Sequence, residues 1–392
     1  MTESPNPLKV LVLDQARGVW GAQQYLLRLA PLLRDHGVEL TLAAPRELEL
    51  HEVWRAAGFD AIHVDLPIVR SIRTGDRVAV AGAVREARRS AAMVRSIARL
   101  AKRGGFDAIW SNAHWTHLEA SLAGRRSGTP VVLHLHEEAT PGLATWLRAG
   151  SVGIASRAVA VSRAVARGLP VCAQDRVQVI ANGVDTAVMS PPSTADARRV
   201  GEVRESFGIG AGDIMVLAAT RLDPVKRIED LIGSVVRLND SRLRLVIAGG
   251  TSGYPDYVEG LRAQAGAAGG TVMFCGNRTD IVDLFRASDI VLHSGVVEGM
   301  PLGLIEAQAC GKPVVAYSIA GVPEAVVDGV TGLLAAARDV EGLRIALGRL
   351  AVDADLRSRM GTAARVHAVA HHDIADQAAQ NARLVADLCR RR

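Results

Sequence analysis

Two carboxylates eight residues apart, Glu298 and Glu306, lie in the part of the chain where residues able to do chemistry are densest. Residues 290–293 read as a short buried strand. The next turn carries Gly299, Pro301 and Gly303, and the apolar pattern after it reads as a helix. The start of a helix has unpaired amides and the positive end of the helix dipole, so it suits an anion. The candidate amides are those of Gly299, Met300, Leu302 and Gly303, since Pro301 has none to offer. Carboxylates repel phosphate but accept hydrogen bonds from hydroxyls, as on a sugar or a ribose. An anion site beside two carboxylates therefore points to a sugar nucleotide. Arg221 and Lys226, five residues apart at the end of another expected strand, are suited to flank a diphosphate. Arginine offers a planar fork and lysine a mobile point charge, and both would neutralise charge on a departing nucleoside diphosphate. Lys226 is one of only four lysines in a chain with 42 arginines.

The elements that must position these groups alternate, short apolar strand with helical stretch, in both halves of the chain. That is the pattern of parallel α/β sheets. Strands are expected at 9–14, 38–44, 61–65, 107–111, 131–136, 158–162 and 177–181, then at 214–219, 243–248, 272–275, 290–293, 314–316 and 332–334. A Pro-, Ser-, Ala- and Gly-rich stretch reads as the linker, residues 191–212. This divides the chain into a first domain over 1–190, a second over 213–370, and a last helix within 371–392. Two doubly wound domains would bring the carboxyl ends of both sheets to the ligand.

At 392 residues, 49% hydrophobic and 22% charged, the chain is long enough for two cores. No apolar run approaches the ~20 residues of a membrane helix, and the first residues do not read as a secretory signal, so a cytoplasmic protein is expected. The four cysteines lack metal-ligand spacing and read as reduced, mostly buried residues. Net charge is +5, and residues 70–103 carry ten basic side chains against Asp76 and Glu86. The helical part, 84–103, has no Trp or Phe to anchor it in a bilayer. It reads as a solvated face, with contact to an anionic membrane as the alternative. Nucleic acid is not expected as a partner. Asp353-Ala354-Asp355 imitates a metal-binding triplet but lies in a helical tail, and His371-His372 reads as a surface pair. No metal site is expected, and no cofactor beyond a nucleotide-sugar substrate.

Glu298 and Glu306 also form the E-x7-E spacing of retaining glycosyltransferases. The chain resembles glycosyltransferase family 4 along nearly its whole length, most strongly over 177–334. Residues 179–185 (VIANGVD), 220–227 (TRLDPVKR), 246–250 (VIAGG), 274–278 (FCGNR) and 320–324 (AGVPE) add further likeness in family order. The resemblance implies a GT-B fold: two doubly wound Rossmann-like domains facing across a cleft, with the C-terminal helix crossing back to the first domain. It implies a first domain for the acceptor and a second for the donor. Glu306 is then matched to the ribose hydroxyls, Glu298 to the transferred sugar, and Arg221 and Lys226 to the diphosphate. His136 matches the family histidine that contacts the donor sugar, and Asn277 and Arg278 lie where relatives hold the base. Gly18-Val19-Trp20-Gly21-Ala22-Gln23 resembles the family's Gly-Gly-Ala-Gln turn, with Trp20 where glycine is usual. Gly21 would meet the β-phosphate, and Trp20 would shape the acceptor pocket. His114, His117, Glu137 and Glu138 are the remaining acceptor-side candidates.

The activity expected from this likeness is retaining, metal-independent transfer of a hexose or amino-hexose from a UDP-linked sugar to a small soluble acceptor. The chain is similar in size and style to aminoglycoside-antibiotic glycosyltransferases, which makes an aminocyclitol or pseudodisaccharide the expected acceptor. Two alternatives stay open. One is a GDP-mannose- or UDP-glucose-dependent transferase working on a lipid or polysaccharide at a membrane. The other is an inactive protein that binds sugar nucleotides.

Overall fold

The computed structural model describes residues 6–66, 73–74, 77–78, 80–139, 142–251 and 253–391. It divides into two compact units, one formed by 1–181 with 375–392 and the other by 182–374. The strands in chain order are β1 Leu8–Leu13, β2 Val38–Ala44, β3 Ala61–His63, β4 Arg73–Thr74, β5 Arg77–Val78, β6 Ala108–Ser111, β7 Val131–Leu135, β8 Arg157–Ala160 and β9 Val177–Val179, followed by β10 Ile214–Ala219, β11 Leu243–Ala248, β12 Val272–Gly276, β13 Ile290–His293, β14 Val314–Tyr317 and β15 Gly332–Ala335.

In the first unit seven parallel strands run in the order β3-β2-β1-β6-β7-β8-β9. In the second, six run β12-β11-β10-β13-β14-β15, also parallel. Parallel strands covered by helices on both faces read as continuous apolar runs rather than alternating ones. Val10, Leu11, Val12 and Leu13 of β1 and Met215, Val216, Leu217 and Ala218 of β10 are accordingly all fully buried. Both sheets reverse their winding direction beside the first strand, between β1 and β6 and between β10 and β13. A doubly wound sheet opens a crevice for ligand at that reversal, outside the carboxyl ends of its strands. The antiparallel β4–β5 pair had no counterpart in the sequence pattern.

Several expectations change. Residues 191–212 are not bare linker: they carry a 3-10 turn at Thr194–Asp196 and the helix Ala197–Ser206, which lies against the helix Ile281–Ala287. Arg199 ties the two by hydrogen bonds to Asp283 (2.7 Å) and Asp280 (3.1 Å). His372 is buried, its Nδ1 3.1 Å from the Asn182 carbonyl, so only His371 is exposed and the two do not form a surface pair. Of the cysteines only Cys310 is buried, and all four are free thiols. Asp353 caps the helix Ala354–His371 by accepting from the Leu356 amide at 2.8 Å, a structural use for the metal-like triplet.

The basic segment forms the helix Val80–Arg103, packed on His117–Ser127 through buried Met93, Ile97, Ala98 and Ala101. Arg85, Arg88, Arg89, Arg95 and Arg99 lie on its exposed side. Arg70 and Asp76 of the same stretch fall outside the described residues. No helix among the described residues is long and apolar enough to cross a membrane. The last helix, Ile374–Arg390, belongs to the first unit from residue 375 onward, and Cys389 Sγ there donates to the Asp107 carbonyl at 3.6 Å.

Candidate active site

In the second unit the chemistry gathers at the sheet reversal. The chain leaves β10 through Arg221 and Lys226, and leaves β13 through His293, Ser294 and Gly295 to Glu298. The two loops are laced together. Ser294 Oγ donates to the carbonyls of Lys226 (2.7 Å) and Arg227 (2.8 Å), and the Val296 amide donates to the Val225 carbonyl at 2.9 Å. Arg227 holds a left-handed backbone, φ 47°, where the 3-10 turn Pro224–Lys226 passes into the helix Ile228–Leu238, and its guanidinium grips Asp230 at 2.5 and 2.9 Å. That conformation costs an L-residue of order 1 kcal/mol, and the Asp230 fork and the Ser294 bond hold it in place.

The laced loops place Lys226 Nζ 2.5 Å from Glu298 Oε1, with His293 Nε2 2.9 Å from the same oxygen. Glu298 is 8% exposed, so burial pushes its carboxyl up. The charges of Lys226 and His293 and their hydrogen bonds outweigh that and hold it down at about 2. A carboxylate so placed accepts hydrogen bonds and is already engaged by two donors. Arg221 lies near Asp223, Nη1 to Oδ2 3.3 Å, and Asp223 in turn caps the Pro224–Lys226 turn through the Val225 amide.

Met300 and Gly299 are buried, and the helix Leu302–Ala309 starts after Pro301, so the first-turn amides of Leu302 and Gly303 have no preceding helical carbonyl to pair with. Glu306 lies inside that helix, 7% exposed. Asn182 Nδ2 donates to the Met300 carbonyl at 2.8 Å, which anchors the turn before the helix. Asn277 is exposed at the end of β12 beside Gly250, and Arg278, also exposed, grips Asp280 at 2.7 and 2.8 Å. Thus Lys226 and Glu298 meet directly, Arg221 and the helix start flank the same reversal, and Asn277 and Arg278 stand two strands away at the sheet's edge.

The first unit has its own polar cluster at its reversal. Asp14, Asn112 and His136 follow β1, β6 and β7 directly, and the three strands are neighbours. Asp14 Oδ2 accepts from Asn112 Nδ2 (2.7 Å) and Gln23 Nε2 (3.0 Å), and its Oδ1 accepts from the Ala16 amide (2.8 Å). Asn112 Oδ1 is 2.9 Å from His136 Nε2. His134, two residues before His136 and therefore on the same face, lies against it with ring centroids 4.0 Å apart. Trp20 precedes the helix Gly21–Asp35, so Gly21 opens a helix next to this cluster, and the Trp20 indole covers Gly18. His114 is exposed, with Nδ1 3.3 Å from Glu137 Oε1, and Glu138 is exposed beside it in sequence. His117 turns inward: it is 3% exposed and 2.8 Å from Ser111 Oγ. Sequence reasoning did not single out Asp14, Asn112, Asn182, His293 or Gly295. A charged residue closing the apolar run Leu8–Leu13 was the available signal for Asp14.

Burial holds the His117 and His134 imidazoles well below their usual range and His136 at about 3. All three are therefore neutral in the native state near pH 7, whereas each takes a proton below about pH 6.5 once unfolded. Their contribution to stability is complete above pH 6.5 and is lost as pH falls toward 3, each adding a slope of at most about 1.4 kcal/mol per pH unit. The urea midpoint of unfolding should therefore fall from pH 7 to pH 4. His117→Gln should flatten the decline, and an unchanged slope in that variant would show that the ring titrates normally.

Among the described residues no group of three His, Cys, Asp or Glu side chains is placed to hold a metal ion. Two parallel Rossmann-like units, each with its polar residues at the strand reversal, define a GT-B architecture. The family models agree with it. Glycosyltransferase Family 4 matches residues 19–188, and Glycosyl transferases group 1 matches residues 200–367. The D-inositol 3-phosphate glycosyltransferase of Acidothermus cellulolyticus is 30% identical over 311 residues, which cover 72% of this chain and 67% of that protein. The protein of the same name from Stackebrandtia nassauensis is 32% identical over 293 residues, 68% of this chain and 65% of its own; that from Xylanimonas cellulosilytica is 33% identical over 195 residues, 49% and 46%. The match thus spans about two thirds of the first of these two and under half of the second. Among solved structures, Anabaena HepE in complex with UDP superposes with a TM-score of 0.82 at 23% identity, covering 97% of this chain and 100% of its own. A Rickettsia africae glycosyltransferase does so at 0.80 and 18% identity, covering 98% and 99%. The chain belongs to the group 1, family 4 glycosyltransferases.

Proposed function

We propose that the protein transfers a hexose or amino-hexose from a UDP-linked sugar to a hydroxyl of a small cyclitol, with retention at the anomeric carbon. The observation that carries this reading is the buried Lys226–Glu298–His293 group beside the start of the helix Leu302–Ala309. Lys226, Arg221 and the first-turn amides would take the diphosphate, and Glu306 the ribose hydroxyls. Glu298, already gripped by two donors, is suited to orienting a sugar hydroxyl rather than to attacking carbon. The acceptor oxygen would then enter on the face the diphosphate leaves, giving its proton to the leaving phosphate oxygen. Catalysis would rest on positioning and charge stabilisation by the protein, without a metal ion.

For the acceptor, the relatives' names specify D-inositol 3-phosphate. Inositol and the aminocyclitols share a polyhydroxylated six-carbon ring, which supports a cyclitol here. Glu137 and the exposed Glu138 favour the cationic member of that class. The donor is tested by calorimetry of UDP and GDP in EDTA, on the wild type and on Glu306→Ala. UDP binding that the variant weakens by about tenfold or more is expected; preference for GDP, or loss of binding in EDTA, would overturn the donor assignment. Turnover on inositol 3-phosphate set beside an aminocyclitol then decides the acceptor. Robust transfer to the phosphate ester alone would remove the aminocyclitol.

A further inference from the structure

We infer that Asp14 is a positioning residue that sets the tautomer of His136 through Asn112, leaving His136 Nδ1 as a hydrogen-bond acceptor for a ligand hydroxyl. The argument follows the atoms across the ends of β1, β6 and β7. Asp14 is fully buried, which pushes its carboxyl up, and four donors oppose that: the Ala16 amide at Oδ1, Gln23 Nε2 and Asn112 Nδ2 at Oδ2, and the Gln15 amide. A carboxylate only accepts, so the nitrogen of Asn112 must face it. The Asn112 oxygen is thereby turned toward His136, 2.9 Å from Nε2. That oxygen also only accepts, so His136 Nε2 must carry a hydrogen. A neutral imidazole has a single N–H, so Nδ1 has none.

The consequence concerns ligand chemistry. A bare ring nitrogen accepts from a hydroxyl and gives nothing to a phosphate or carbonyl oxygen. His136 is therefore matched to a sugar or cyclitol hydroxyl and mismatched to a diphosphate. Replacing Asp14 by asparagine inverts the relay. The Ala16 amide keeps an oxygen at the Oδ1 position, which puts the new NH2 where Oδ2 was. Asn112 must then turn its oxygen to that NH2 and its nitrogen to His136 Nε2, and the histidine proton moves to Nδ1.

The test uses the full chain labelled with 15N-histidine, observed by long-range 1H–15N correlation at pH 7, with the His136 signals assigned from their loss in His136→Asn. Wild type is expected to show a protonated Nε2 and a bare Nδ1. A protonated Nδ1, or an imidazolium, would overturn the inference without any variant having to fold. Asp14→Asn is expected to show the Nδ1–H form and a kcat lower by roughly tenfold to a hundredfold, with KM for the sugar nucleotide nearly unchanged. Gln23→Met, which removes a donor without touching the bridge, should leave the tautomer as in wild type. The kinetic arm rests on the proposed transfer and the spectroscopic arm does not. Absence of any transfer activity would sink the proposed function and leave the tautomer assignment standing. A changed tautomer with unchanged kcat would refute the positioning role alone.

Discussion

Lys226→Ala should lower turnover by about 10²–10³-fold, the usual cost of removing one preorganised charge-stabilising group, and should also destabilise the second unit. The second effect distinguishes this lysine from one on a solvated loop. Its Nζ lies 2.5 Å from the oxygen of a carboxylate that is 8% exposed. Removing it leaves Glu298 charged and buried with His293 as its remaining partner, an arrangement that typically costs about 3–5 kcal/mol. Combining Lys226→Met with Glu298→Gln removes both charges and keeps the shapes, so most of the stability should return while turnover stays low. Urea unfolding and single-turnover kinetics on the three proteins separate the two roles. If Lys226→Ala is stable and nearly as active as wild type, Lys226 has no place in the mechanism. If the double variant recovers turnover along with stability, the lysine is structural only.

A methyl group at residue 295 should be nearly as damaging as the loss of the lysine. A Cβ on Gly295 would lie 2.1 Å from Glu298 Oε1 and 2.8 Å from His293 Nε2. Contacts that short force something to move, and the Glu298 carboxylate is pinned from two sides at 2.5 and 2.9 Å. Gly295→Ala must therefore break the Lys226–Glu298–His293 group or shift the loop that carries it. A displacement of about 1 Å at a reacting centre can cost 10²-fold in rate, whereas overpacking costs only about 1–3 kcal/mol of stability. Activity should thus fall much further than the unfolding midpoint does. Gly233→Ala is the control. That glycine lies in the helix Ile228–Leu238, where the nearest neighbour to an added Cβ, Val340 Cγ1, is 3.8 Å away. It should leave turnover unchanged and raise stability by about 0.5–1 kcal/mol. Wild-type kcat in Gly295→Ala would show that Glu298 does not need its present place.

The local order of the chain was open to reading because it rests on short-range physics. Strands buried on both faces must be continuous apolar runs, so β10 and β13 could be read to the residue from the local pattern, and β1, β2 and β11, whose runs are broken by Lys9, Glu39 and Arg244, to within a residue. The helix start after Pro301 and the cations following β10 were legible because turn residues and charge are written locally. The likeness to family 4 was carried by short local pieces that lie at or just beyond strand ends, such as 220–227 after β10 and 246–250 at the end of β11.

What required the tertiary structure is which of those strand ends become neighbours. Sheet order is a matter of pairing between distant segments: β1 lies beside β6, and β10 beside β13, with two strands intervening in sequence in the second case and four in the first. That order brings Asp14 to Asn112 across 98 residues and Lys226 to Glu298 across 72. The same long-range packing buries His372 against Asn182, 190 residues away, where the sequence alone read a surface pair. Residue type and spacing determined which chemistry this protein carries. Strand pairing, which no local pattern encodes, decided which of those groups share a hydrogen bond, and through burial and neighbouring charge it set their protonation.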